Sequence, residues 1–170
     1  GVPSNFQSFV LFRYSVDGSL DTSSNGTRKS TTPIGYETQS LNAVKVQADG
    51  KILAAGYATS EGQPGYDLVL LRYNADGSLD TSFDQDGVAV YDGGASDIAN
   101  ALAIQSDGKI LVLGSSSNFS CLFRYNANKS LDTTFNSNRK QTLTLKPWDH
   151  GDYLSLLPSN KILVAGYRYN

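Results

Sequence analysis

Leu71-Arg72-Tyr73-Asn74-Ala75-Asp76-Gly77-Ser78-Leu79-Asp80-Thr81-Ser82-Phe83 decides the fold, because the chain repeats it on either side. Phe12-Arg13-Tyr14 and Phe123-Arg124-Tyr125 match its start. Ser19-Leu20-Asp21-Thr22 and Ser130-Leu131-Asp132-Thr133 match its later part. A third landmark recurs as Lys51-Ile52-Leu53, Lys109-Ile110-Leu111 and Lys161-Ile162-Leu163. Arg13 to Arg72 spans 59 residues and Arg72 to Arg124 spans 52. A second chain set after the first would place its Arg13 another 59 residues on, so 170 residues hold three periods with the seam inside one of them. Periods of this size belong to propellers, solenoids or arrays.

The middle copy predicts the unit. Ile98–Gln105 reads as a strand, Ser106-Asp107-Gly108 as a tight turn, and Lys109–Gly114 as the partner strand. A loop over Ser115–Ser120 leads to a third strand, Cys121–Asn126, and Thr142–Leu145 alternates as a fourth. Four short antiparallel strands in about 50 residues describe a propeller blade. No stretch holds a 3.6-residue period, which argues against a helical solenoid. The expected fold is all-β: a β-propeller of four-stranded antiparallel blades, three blade-lengths per chain. Its parts are the last two strands of a shared blade (9–32), whole blades at 41–91 and 98–145, and the first two strands of a shared blade (153–170). Half blades leave open edges. Because rings hold about four to eight blades, the expectation is a six-bladed ring from two chains, hence a homodimer or a higher homo-oligomer.

The words Gln105-Ser106-Asp107-Gly108-Lys109-Ile110-Leu111-Val112-Leu113-Gly114 and Arg72–Phe83 resemble the bacterial delta-60 repeat family. The resemblance covers nearly all of the chain and implies a β-propeller of surface or secreted proteins, hence a secreted or extracellular location. It implies no chemistry. Two departures stand out: Ser23-Ser24 replaces Ser82-Phe83, and the turn at Pro158-Ser159-Asn160-Lys161 reads as one residue shorter than its counterparts.

Composition excludes several functions. With 14 basic and 16 acidic residues the net charge is −2, so no basic field exists for nucleic acid. No apolar run approaches the roughly 20 residues of a spanning helix, so membrane insertion is not expected. The lone Cys121, in an apolar strand, reads as an inert buried thiol. The lone His150 cannot supply a multi-histidine metal site, and no Gly-x-Ser-x-Gly elbow is present. Neither an enzyme nor a cofactor is expected. Ser82–Gly87 resembles a calcium loop faintly, without the closing Glu, and reads as a turn.

Residues common to all copies point to scaffold. Arg13, Arg72 and Arg124 lie in apolar strands, each eight residues before Asp21, Asp80 or Asp132, and predict bidentate staples. Gly56, Gly114 and Gly166 predict a bend or a close backbone approach. Residues that differ between copies are the better binding candidates. The connections into the first strand carry Trp148, Asp149, His150, Asp152 and Tyr153 in one copy, Tyr36 and Glu37 in another, and Asp92 and Asp97 in the third. Tyr57 and Tyr167 lie in the Tyr-rich loops after the second strand. Aromatic faces stack on pyranose C–H groups while carboxylates accept from hydroxyls. The expected partner is therefore glycans, and the expected function that of a multivalent lectin for neutral sugars such as N-acetylhexosamines. The alternative is a structural or protein-binding segment of a surface propeller.

Overall fold

The computed structural model describes residues 8–21, 30–34, 38–59, 64–117, 119–128, 130–135, 140–142 and 149–168. Every regular element among them is a strand, and every pairing is antiparallel. The first sheet holds β1 (Phe9–Leu11) and β2 (Ser30–Thr32). The second holds β3 (Thr38–Val46), β4 (Ile52–Thr59), β5 (Asp67–Tyr73) and β6 (Val88–Tyr91), in that order. The third repeats this order with β7 (Asp97–Ile104), β8 (Ile110–Ser116), β9 (Phe119–Tyr125) and β10 (Lys140–Thr142). The fourth pairs β11 (Asp149–Leu156) with β12 (Ile162–Arg168).

Three details differ from the sequence expectation. The strand expected from Thr142 already pairs from Lys140, with Lys140–Thr142 opposite Cys121–Phe123; residues 143–148 lie outside the described residues. The loop expected at Ser115–Ser120 is a tight hairpin, with Ser116 opposite Phe119 and Ser117 in the left-handed region at φ 52°. The turn at Pro158–Lys161 is not shortened. Leu156 faces Ile162 just as Val46 faces Ile52 and Ile104 faces Ile110. Asn160 takes the left-handed position at φ 58°, where the other copies have Gly50 at 83° and Gly108 at 81°. Asn is among the few side chains that accept this conformation, so the turn keeps its length without glycine.

The sheets pack face to face in chain order. Leu53, Ala55, Leu68, Leu70, Phe83 and Ala89 of the second sheet share one core with residues of the third, among them Leu102, Ile110, Val112 and Phe123. Phe9 of β1 joins Ala54, Ala58, Val69, Leu71 and Tyr73 on the opposite face of the second sheet. Period-2 alternation makes this possible: each four-stranded sheet is apolar on both faces and meets a neighbouring sheet on each, although Val44 and Val46 of the second stay exposed.

A bulge recurs at one position of each first strand, at Leu41/Ala43, Ala99/Ala101 and Gly151/Tyr153. It bends the strand onto its partner. Gly56, Gly114 and Gly166 sit opposite, where a Cβ would overlap the carbonyls of Ser40, Ile98 and His150. Close approach, not a turn, is what these glycines serve. The bulge also frees a side chain for the next sheet. Asn42 Nδ2 donates to the Ala99 carbonyl at 2.9 Å, and Asn100 Nδ2 to the Gly151 carbonyl at 3.0 Å.

The arginine staples form, but as hubs. Nε of Arg13, Arg72 and Arg124 donates to Oδ2 of Asp21, Asp80 and Asp132 at 2.6, 2.7 and 2.8 Å. The expected bidentate fork is absent at Asp80 and Asp132, because Oδ1 is used otherwise. It accepts the amide and hydroxyl of Ser82 in one and of Thr134 in the other. A lysine completes the hubs at Asp80 and Asp132: Lys51 Nζ lies 2.6 Å from the first and Lys109 Nζ 3.1 Å from the second. The guanidinium also lies over an aromatic ring, Phe83 at 4.6 Å or Phe135 at 4.4 Å. Its Nη1 reaches the following sheet, from Arg13 to the Ala75 carbonyl and from Arg72 to the Ala127 carbonyl. Burial opposes the charged form of Asp80, yet the bonds from Lys51, Ser82 and Arg72 prevail and hold its pKa far below the usual carboxylate range. The bonds from Thr134 lead in depressing Asp132, against desolvation and with help from Lys109 and Arg124.

Two outcomes follow. A depressed folded pKa gives stability that is complete above the unfolded value near 3.9 and is lost as pH falls through the folded one. Asp80→Ala should cost about 3 kcal/mol at pH 7, and the gap from wild type should shrink in denaturant melts below about pH 4. Gly114→Ala forces a Cβ into backbone that cannot move aside, and should lower stability by about 3 kcal/mol in the same melts.

Candidate functional site

Two connections meet at one end of the junction between the second and third sheets: the one from β4 to β5, and the one from β6 to β7. The Asp97 amide donates to the Tyr66 carbonyl at 2.6 Å, tying the second connection to the first. Gly65 allows this approach. Its φ is 106°, and a Cβ there would lie 3.3 Å from the amide nitrogen and hydroxyl of Ser96. Tyr57 and Tyr66 pack together with ring centres 4.6 Å apart and planes tilted by 57°. Both residues are half-buried.

Carboxylates border the pair. Asp67 follows Tyr66 and opens β5; burial raises its pKa, and the like charges of Asp92 and Asp97 raise it further. Asp92 is exposed, and its Oδ1 accepts from the Gly94 amide at 2.7 Å. Asp97 is fully buried. Its Oδ2 accepts the Gly93 amide at 2.6 Å, while Oδ1 has no hydrogen-bond partner. Only glycine fits above it, since a Cβ on Gly93 would lie 2.9 Å from both carboxylate oxygens. Asp97 is therefore a positioning residue that holds the connection; the groups open to a ligand are Tyr57, Tyr66, Asp67 and Asp92.

The other expected site residues are dispersed. His150 and Tyr167 face each other across β11 and β12 and stack, with centres 4.9 Å apart and planes 12° apart. Tyr153 is exposed on β11. Asp152 occupies the bulge position of Asn42 and Asn100, where those side chains reach the next sheet. Trp148, Tyr36 and Glu37 lie outside the described residues, and of Asp149 only the backbone is described. The sequence reading missed Tyr66 and Asp67. Their signal was there: both end the same Tyr-rich loop that contributed Tyr57.

Among the described residues no group of three or more His, Cys, Asp or Glu side chains is arranged to hold a metal ion. A separate hollow lies between the first and second sheets, lined by Thr32, Pro33, Ile34, Leu79, Asp86, Val88 and Val90. Its walls are largely aliphatic and carry no aromatic face. Asp84, Gln85 and Gly87 adopt left-handed backbone beside it, and the amide of Gly87 closes on the Phe83 carbonyl. Ser82–Gly87 is thus a turn.

Residues 47–83 and 105–135 match a family described as a domain of unknown function (DUF5122) beta-propeller. The match supports a β-propeller repeat family. It runs from the turn between the first and second strands to the hub aromatic in both four-stranded sheets, and so takes in Tyr57, Tyr66 and Asp67. Tyr57 and Tyr167 lie in β4 and β12, not in loops as expected, and the segments that follow β4 and β6 differ in length and residue type from those after β8 and β10. No curated protein matches the chain.

Removing the Asp97 carboxylate should release the loop without unfolding the sheet. In Asp97→Ala, the Gly93 amide should exchange hydrogen at least tenfold faster, while amides in β8 keep their protection.

Proposed function

We propose that this chain is a carbohydrate-binding protein that presents shallow sites on the connections at one end of its sheets. The supporting observation is the Tyr57–Tyr66 pair with Asp67 and Asp92 at its margin. A tilted aromatic pair offers a face for the C–H side of a pyranose, and neighbouring carboxylates accept from its hydroxyls. Asp67, its pKa raised by burial and like charge, gains from a hydroxyl donor that replaces lost water. The sugars favoured are neutral, with N-acetylhexosamines first, because a methyl amide suits a tyrosine face. His150 stacked on Tyr167 is the corresponding feature of the fourth sheet. Repetition would convert weak single sites into avid binding, by about 10²–10⁴ on a polymeric glycan.

The finer family assignment is to the delta-60 repeats of secreted or surface-exposed bacterial proteins. A second reading, a structural or protein-binding segment of such a propeller, draws on the hubs: the residues shared by all copies are committed to Arg–Asp pairing and serve no ligand.

A glycan array separates the two. Binding to neutral glycans, competed by free N-acetylhexosamine and weakened at least tenfold by Tyr57→Ala with unchanged melting, is the expected result. Silence across all neutral glycans overturns the carbohydrate reading and favours the structural one.

A further inference from the structure

Corresponding residues of the three units have very different exposure. Leu71 and Phe123 are 0% exposed, yet Phe12 at the same place in its unit is 50% exposed. Tyr73 and Tyr125 are 1% and 3% exposed, whereas Tyr14 is 61% exposed. Leu53 and Leu111 are 0% exposed; Leu163 is 53% exposed. All three exposed residues lie in or beside the two-stranded sheets. In the four-stranded sheets the second strand pairs with the third, Ala54 opposite Leu71 and Val112 opposite Phe123. Among the described residues β12 pairs only with β11, and β1 only with β2. The edge of β12 has the sequence of a second strand and the edge of β1 that of a third.

We infer that β12 of one chain pairs with β1 of a second copy, and that the reciprocal pairing closes two chains into one ring of six four-stranded sheets. The register follows from the intact units, with Ile162 opposite the partner's Tyr14 and Val164 opposite the partner's Phe12. Charge agrees with it. Lys51 and Lys109, each just before a second strand, reach Asp80 and Asp132 beyond the third. Lys161 has the same place before β12 and is exposed. The joined sheet brings it to the partner's Asp21, which already holds Arg13 as the other two aspartates hold theirs.

The uncovered faces also match. Val44 and Val46 lie on the face of the second sheet that Phe9 covers, beside Ala54 and Ile52, but β1 and β2 leave them 54% and 67% exposed. Their counterparts in the third sheet, Leu102 and Ile104, pack against the second sheet. Tyr153 and Leu163 project from the face of β11–β12 that has no following sheet, and are 72% and 53% exposed. Seating β11–β12 beside the partner's β1 places Tyr153 and Leu163 over the partner's Val44 and Val46. One contact is thereby completed for strand edge, ion pair and apolar face alike, and a second copy of this chain carries all three complements.

Native mass and a cross-link test this. The 18.3 kDa chain should run at twice its mass in solution. In the Phe12→Cys/Val164→Cys double variant the two thiols oppose each other across chains, within the range a disulfide spans. Oxidation should give a covalent dimer with no larger ladder, while Phe12→Cys/Tyr167→Cys, out of register, should not cross-link. Lys161→Glu, a surface change that leaves the chain's own contacts intact, should weaken the dimer at least tenfold. A native mass of one chain overturns the inference and leaves the edges to another partner, such as neighbouring repeats of a longer polypeptide. A ladder of ever larger products overturns the closed pair. Neither result bears on glycan binding, which is read separately.

Discussion

One carboxylate per unit holds together what the backbone ladder alone would leave loose. Asp80 accepts from the arginine of β5, the lysine ahead of β4 and the serine of its own turn, so two neighbouring strands and the long connection share one anchor. Such a group is costly to bury unless every lone pair is occupied, and here both oxygens are occupied. The arginine then spends Nη1 on the next sheet, Arg13 at the Ala75 carbonyl and Arg72 at the Ala127 carbonyl, while Nη2 of Arg72 turns back to the Ser82 hydroxyl. The same side chain therefore fixes the interior of one sheet and its distance from the following one. The aromatic ring beneath the guanidinium, Phe83 or Phe135, excludes water from one side and makes each charged bond count for more.

Around these anchors lies a two-faced apolar core. A sheet covered on both sides needs small residues where backbones approach and large ones where sheets stand apart. Ala54, Ala55 and Gly56 in β4 meet the first need, and Leu68 to Leu71 in β5 the second. The bulge opposite Gly56 reconciles the two by tightening the first strand against the second. The Asn that the bulge turns outward then bonds to the next first strand. Hub and bulge act at different places of the same junction, the hub at the turns and the bulge on the first strands.

Much of this was legible in the sequence because the unit is written three times. Repetition gave strand number and order, and Arg–Asp spacing gave the staple. The lysine of the hub was visible as a landmark but not as a partner, since Lys51 and Asp80 are 29 residues apart and only the antiparallel turn brings them together. The bulge flips the phase of the alternation by one residue, a change that small residues such as Ala99 and Ala101 on either side of it conceal. Asn160 showed that a left-handed turn position need not be glycine, which a reading by composition took for a deletion. The candidate site was the least legible. Asp92 and Asp97 look equivalent in sequence, but one is exposed and the other is sealed beneath Gly93. Burial of a single carboxylate depends on how two loops cross, and no local pattern encodes that.

The third unit departs from the others where a junction between chains would feel it. Asn42 and Asn100 each donate to a carbonyl of the next first strand; Asp152 has their position on the bulge and brings a carboxylate where they bring an amide N–H donor. If β11 faces β3 of a second copy, that junction has one inner bond fewer than the two within the chain. The larger Tyr153, standing where Ala43 and Ala101 stand, offers apolar area in its place. A contact that exchanges a directional bond for aromatic burial is more tolerant of small rotations between its sheets. If two chains close on each other, the seams between them are where that tolerance would be needed, because the junctions within a chain are set when it folds.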